Sequence, residues 1–172
     1  MLLGLAAAVV ALPGGAGAAS LVPELRVATA FNSRFDADLV SAAWYTGVPR
    51  WTRAQRFEFA AGVIHGSATT RAFAFAGPDW QLTPARLDAF VEFSFGPTLL
   101  SGSTIDGHEL GGNLHFRSAL AVGRSFGRHR MTRIALRIEH ISNGGLRDPN
   151  PGLDSIGLSF VSGIGRGQRP AR

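Results

Sequence analysis

A chain of 172 residues, 45% of them apolar and 17% charged, has the size of one folded domain and is too apolar for disorder. Cysteine is absent, which excludes disulfide staples, thiol nucleophiles and zinc ribbons. The 17 cationic side chains are all arginine against 12 acidic ones, and they are spread singly instead of in runs, so the +5 charge does not indicate a nucleic-acid partner.

Met1 to Ala19 carry no ionisable side chain. Leu2 to Leu12 is an apolar stretch, and Ala16-Gly17-Ala18-Ala19 supplies a small-x-small site, the form of a cleavable signal peptide over 1–19. It lacks the usual basic residue at its start, and it is too short to span a bilayer. The mature chain would then begin near Ala19 or Ser20, with a domain over 20–162 and an unstructured tail over 163–172.

Beyond residue 20 the hydrophobic period is two. Eight strands are expected, near 24–32, 35–47, 55–66, 70–76, 86–99, 113–126, 130–143 and 153–162. Turn signals separate them, among them Gly77-Pro78-Asp79, Ser101-Gly102-Ser103 and Asp148-Pro149-Asn150-Pro151-Gly152. One face carries Phe57, Phe59, Val91, Phe93, Leu120, Val122, Leu136 and Ile138. The other carries Arg56, Glu58, Asp88, Glu92, Arg117, Arg133, Arg137 and Glu139 among small residues. A soluble lipocalin-like barrel and an inverted membrane barrel, with lipid outside and charges inside, give the same alternation. An export signal, an even strand count and strands of about ten residues favour an all-β, eight-stranded antiparallel transmembrane β-barrel. Eight strands enclose just enough room for side chains, so a water channel is not expected. Trp44, Tyr45, Trp51 and Trp80 fall at strand ends, where interfacial girdles and ordinary core packing are equally good readings.

The last expected hairpin holds the chemistry. His140 and Ser142 lie two residues apart on one strand and share the face of Ile134, Leu136 and Ile138. Asp154 shares its face with Ile156, Leu158 and Phe160 on the next strand, so it can lie beside His140. A hydroxyl, an imidazole and a carboxylate are the components of acyl transfer. Asn143 and the glycine-rich backbone after it can offer hydrogen bonds to an oxyanion. The same three residue types are also common at the interfacial ends of strands, where they carry no chemistry.

This stretch resembles the signature of the outer-membrane lipid A 3-O-deacylases, the PagL family. There the penultimate strand ends in His-x-Ser-Asn, followed by a small residue and Gly-Leu, and a Pro-Asn loop leads to an acid fourteen residues after the histidine. His140, Ser142, Asn143, Gly145, Leu146, Pro149 and Asn150 match, and the acid falls on Asp154. The similarity is clearest from Leu87 to Phe160 and fades in the first three strands. The family's acid is glutamate, so aspartate here shortens the reach by a methylene. The resemblance implies an outer-membrane barrel hydrolysing the 3-linked acyl ester of lipid A in lipopolysaccharide, with no metal or other cofactor. It also implies Ser142 as nucleophile, His140 as general base and Asp154 as the residue orienting it. Asn143, Gly145 and Asn150 would form or support the oxyanion site. Expected partners are the lipid A substrate and membrane lipids, with a homodimer left open. The rival readings are a non-enzymatic barrel of the OmpA or OmpX kind and a soluble lipid binder.

His65, His108, His115 and His129 have neither the spacing nor the neighbouring acids of a zinc site; His115 is expected inside the barrel and the others at strand ends or loops. Gly163-Ile164-Gly165-Arg166-Gly167 follows no parallel strand and opens no helix, so it is not a phosphate loop.

Overall fold

Large apolar residues alternating with small or charged ones favour extended backbone with two unlike faces. The structure, a computed structural model, describes residues 23–31, 36–46, 56–84, 87–127 and 132–162. In chain order the strands are β1 (Glu24–Ala30), β2 (Ala37–Thr46), β3 (Arg56–Gly66), β4 (Thr70–Leu82), β5 (Ala89–Leu100), β6 (Thr104–Ile105), β7 (His108–Glu109), β8 (Leu114–Phe126), β9 (Thr132–Ser142) and β10 (Leu153–Ser162). Eight of them close an antiparallel barrel in the order β1-β10-β9-β8-β5-β4-β3-β2, while β6 and β7 form a separate hairpin between β5 and β8. The leader over 1–19, the tail over 163–172, Trp51 and His129 lie outside the described residues.

Seven of the eight expected strands recur with small boundary changes. The fourth differs, because Gly77-Pro78-Asp79 is no turn and β4 runs on to Leu82. Pairing with β3 continues through this segment, from His65↔Thr70 to Arg56↔Asp79, and the Asp79 carboxylate receives the Arg56 guanidinium inside the barrel. The cost of the proline appears on the other side. Paired positions are missing between Phe75↔Thr98 and Asp79↔Ser94, the span that holds Pro78 and Pro97, neither of which brings an N–H.

The two faces have the inverted polarity. Outside lie Val27, Phe93, Leu120, Leu136, Leu158 and Phe160 among many large apolar side chains, all well exposed. A soluble barrel would turn these inward, so the lipocalin-like alternative falls. Trp80 faces outward and stacks on Phe93 with 5.8 Å between centroids. Tyr45 does not belong to a girdle, since its hydroxyl points inward to accept from Arg26 at 2.6 Å and donate to Glu92 at 3.1 Å.

Inside, Arg26, Arg56, Arg117, Arg133 and Arg137 meet Glu24, Glu58, Asp79, Glu92 and Glu139, so the named charges balance. Arg137 alone donates to Glu139 (2.6 Å), Glu92 (3.0 Å) and Glu58 (3.5 Å). Buried charges of this kind persist only when paired, and each of these side chains has at least one ion-pair partner. Asp88, expected on this face, is exposed at the strand end instead. Toward one end the filling becomes apolar: Ile105, from the β6–β7 hairpin, and Leu110 sit among Ile64, Phe73, Leu100, Ile141 and Leu153. Arg71 donates to the Thr104 carbonyl at 2.7 Å and secures this plug. The described lumen is therefore packed, in line with the expected lack of a channel.

Candidate active site

The plugged end is the end away from both chain termini. There the connections 67–69, 101–113 and 143–152 gather. Strand β9 arrives with inward Arg137 and Glu139 alternating with outward Ile138 and His140. Antiparallel pairing then places Asp154 of β10 directly opposite His140, with Ser118 of β8 on its other side. His140 Nδ1 donates to Asp154 Oδ1 at 2.6 Å, and the two side chains are 49% and 36% exposed. A proton on Nδ1 leaves Nε2 as the acceptor nitrogen of the neutral ring.

Ser142 follows on the same outer face, about 7 Å along the strand, opposite Phe116 of β8. Phe116 stacks against Phe95 at 6.1 Å, which continues the apolar exterior up to the serine. Among the described residues no hydrogen bond joins Ser142 to His140. Such contacts are commonly loose before substrate binds.

Asn143 turns the other way and is fully buried. Its Nδ2 donates to the Arg147 carbonyl at 2.7 Å and lies 3.3–3.4 Å from the carbonyls of Leu110, Gly111 and Pro149. Its Oδ1 accepts from Gly145 N–H at 2.9 Å, and its own N–H donates to Asn150 Oδ1 at 3.0 Å. These three residues are thus brought together as a knot that shapes the 143–152 loop, and their polar groups are used within it. Among the described residues the Gly144 amide has no acceptor; its φ is +66°.

Two residues outside the expected site set also shape this end of the barrel. Gly152, φ +68°, lies against the histidine, so that a Cβ there would stand 3.1 Å from His140 Cε1. In the sequence it is marked by its place in the Asn150-Pro151-Gly152 turn, twelve residues after His140. Asp106, φ +49°, accepts from the amides of Ser67, Ala68 and Thr69 and from the hydroxyls of Ser67 and Thr69. These bonds, the Ala68 N–H foremost, hold its carboxyl well below the usual carboxylate range and latch the β6–β7 hairpin to the β3–β4 turn.

The remaining histidines stand apart. His115 is inside, with Nε2 2.8 Å from the Gly112 carbonyl; His65 pairs with Thr70 at 2.7 Å; His108 is exposed on β7. Glu58, Asp79 and Glu92 approach one another closely enough to suggest a cation site, but Arg26, Arg56, Arg117, Arg133 and Arg137 already pair with all three carboxylates, and of their oxygens Asp79 Oδ2 is left without a partner. That donor set does not call for a metal.

The family described as lipid A 3-O-deacylase, PagL, matches residues 25–161. A lipid A deacylase PagL of Bordetella bronchiseptica is 32% identical over 72 residues, 42% of this chain and 39% of that protein. A lipid A deacylase PagL of Pseudomonas aeruginosa is 31% identical over 71 residues, 41% of this chain and 40% of that protein. The chain therefore matches about two fifths of the length of these relatives. The solved structure described as the outer membrane enzyme PagL is similar in fold, with a TM-score of 0.59 and 20% identity, covering 81% of this chain and 98% of that one. Since the family match runs from Leu25 in β1 to Val161 in β10, the whole barrel included, the chain belongs to the lipid A 3-O-deacylase (PagL) family.

Proposed function

We propose that this protein is an outer-membrane esterase that removes the 3-linked acyl chain of lipid A, with Ser142, His140 and Asp154 as its catalytic residues. The observation that supports this most is the His140–Asp154 hydrogen bond on the outward, apolar-flanked face that also presents Ser142. A nucleophile on that face meets an ester held in the membrane without the acyl chain having to enter the charged lumen.

In this reading Ser142 Oγ attacks the acyl carbonyl while His140 Nε2 takes its proton, and the Asp154 carboxylate stabilises the resulting imidazolium. The carbonyl oxygen becomes an oxyanion near the start of the 143–152 loop, where the Gly144 N–H is the amide still available as donor. Asn143, Gly145 and Asn150 support this site by fixing the loop. Collapse of the tetrahedral intermediate breaks the bond to the sugar oxygen, which leaves with the proton from His140. Water, activated by the same imidazole, then releases the fatty acid and restores Ser142. The leader over 1–19 fits export to the outer membrane by way of a cleaved signal peptide.

The test is mass spectrometry of lipid A from a host lacking such an enzyme, with and without the expressed protein. Loss of the mass of one 3-linked acyl chain is expected, and Ser142→Ala should lower that release by at least about 1,000-fold. Unmodified lipid A beside a folded, heat-modifiable barrel would favour the non-enzymatic OmpA or OmpX kind instead.

A further inference from the structure

Most of the described arginines are accounted for. Arg26, Arg56, Arg117, Arg133 and Arg137 fill the lumen, Arg71 holds the plug hairpin, and Arg124 lies over Phe126 at the far end of β8. Arg147 is different. It is exposed on the 143–152 loop, and among the described residues no hydrogen bond or ion pair engages its guanidinium, nor does any carboxylate, Asp148 included, lie within ion-pair distance. Its side chain runs along the Gly111–Gly112 bend, so that a Cβ on Gly112 would stand 3.7 Å from Arg147 Cδ and 3.8 Å from Nη1.

That bend and Arg147 line a cleft of about 420 Å³, together with Asn113, Leu114 and Leu146. Its position relative to Ser142 follows from the β8–β9 register. Ser142 pairs with Phe116, and Leu114 is the next outward residue up β8, about 7 Å farther from the barrel's middle. The cleft thus begins roughly one sugar ring above the serine. Its lining combines well-exposed apolar Leu114 and Leu146 with the exposed cation of Arg147. An amphiphile that carries both acyl chains and a negative headgroup complements that combination.

We propose that Arg147 and the Gly112–Leu114 wall form a subsite for a phosphate ester carried on the hexosamine whose 3-acyl chain is cleaved, making Arg147 a specificity-determining residue. The proposal rests on the esterase reading above and adds what that reading leaves open, which is how the sugar is held with the correct ester over Ser142. A guanidinium suits the task because it stays charged at all physiological pH values and presents a planar fork to two phosphate oxygens. The backbone beneath it is already fixed, since the Arg147 carbonyl accepts from buried Asn143 at 2.7 Å.

The experiment compares bisphosphorylated lipid A with the same lipid A after enzymatic dephosphorylation, both in neutral detergent micelles with the full-length mature barrel. Wild-type protein should favour the phosphorylated substrate by about 10-fold to 100-fold in kcat/KM, carried mainly by KM. Arg147→Ala should bring that ratio to near unity. Arg147→Lys should keep part of it, and raised salt should erode the wild-type preference. An unchanged ratio in Arg147→Ala, or equal losses on both substrates, overturns the subsite. If wild-type protein hydrolyses neither substrate, the esterase reading fails instead. The subsite is then judged by binding of the two lipids to Ser142→Ala protein with and without Arg147→Ala, where equal affinities overturn it.

Discussion

Replacing Asp154 with asparagine removes a charge while keeping the shape of the side chain, and so isolates what the carboxylate does for His140. In the ground state the two groups share one hydrogen bond of 2.6 Å. In the proposed reaction the imidazole takes the serine proton, and opposite charges then face each other at about 4 Å, worth about 1 kcal/mol in water and about 4 kcal/mol at an effective dielectric constant near 20. The side chains are 49% and 36% exposed at a boundary between water and lipid, which places the benefit between those limits, at roughly 1.5–3 kcal/mol. Asp154→Asn should therefore lower kcat by about 10-fold to 100-fold, much less than Ser142→Ala. Asp154→Glu keeps the charge directly opposite His140 and should stay within about tenfold of wild type. The assay is the initial rate of fatty-acid release in micelles, with heat-modifiable migration showing that each variant is folded. A kcat for Asp154→Asn within twofold of wild type would remove the carboxylate from the mechanism.

Other consequences are equally specific. Asn143→Ala would strand several buried carbonyls at a cost of about 2–3 kcal/mol, so amides at 110–112 and 144–147 should exchange faster while those of β3 and β4 keep their protection. Glu58→Gln leaves Arg26, Arg117 and Arg137 short of one anion and should destabilise the barrel by about 3–5 kcal/mol in urea titrations. Adding Arg117→Met should recover part of that loss, and strict additivity of the two would argue against a shared network. The Asp106 latch has a depressed carboxyl, so its contribution is present above the ordinary carboxylate range and lost only as pH falls well below it. Proteolytic nicking at 67–69 or 104–109 should thus stay constant from neutrality to about pH 4, whereas Asp106→Ala should be nicked at every pH.

The parts of this molecule that were legible in its sequence are those governed by parity. Alternation along Phe57–Val63, Leu87–Phe95 and Ile134–Ile138 fixes two faces, and the same parity puts His140, Ser142 and Asp154 on the apolar one. What parity does not carry is the partner of each inward group. Tyr45 reads as an interfacial aromatic until Arg26 and Glu92, distant in sequence, arrive beside its hydroxyl. Local turn chemistry misled for a related reason: Gly77-Pro78-Asp79 favours a turn, but pairing with β3 and the Arg56–Asp79 contact hold it extended. The β6–β7 hairpin is too short for any periodic signal, and its role rests on Ile105 reaching a distant apolar cluster. Asn143 follows Ser142 in a motif that suggests an outward donor, yet four carbonyls below it draw the amide inward.

The site outside and the network inside are two readings of one register. Strand β8 sends Arg117 inward to Glu58 and Glu139 while Phe116 and Ser118 stand outward beside Ser142 and His140. Strand β9 does the same with Arg137 and Glu139 against Ile138 and His140. A slip of one residue in either strand would expose an arginine to the apolar exterior and bury the imidazole among guanidinium groups, so both faces oppose it. The buried charged side chains thereby keep the proposed catalytic ones aimed outward. With the described lumen filled by charge pairs and an apolar plug, the outer wall of β8, β9 and β10 is the surface on which an ester in the bilayer would meet Ser142 in the proposed reaction.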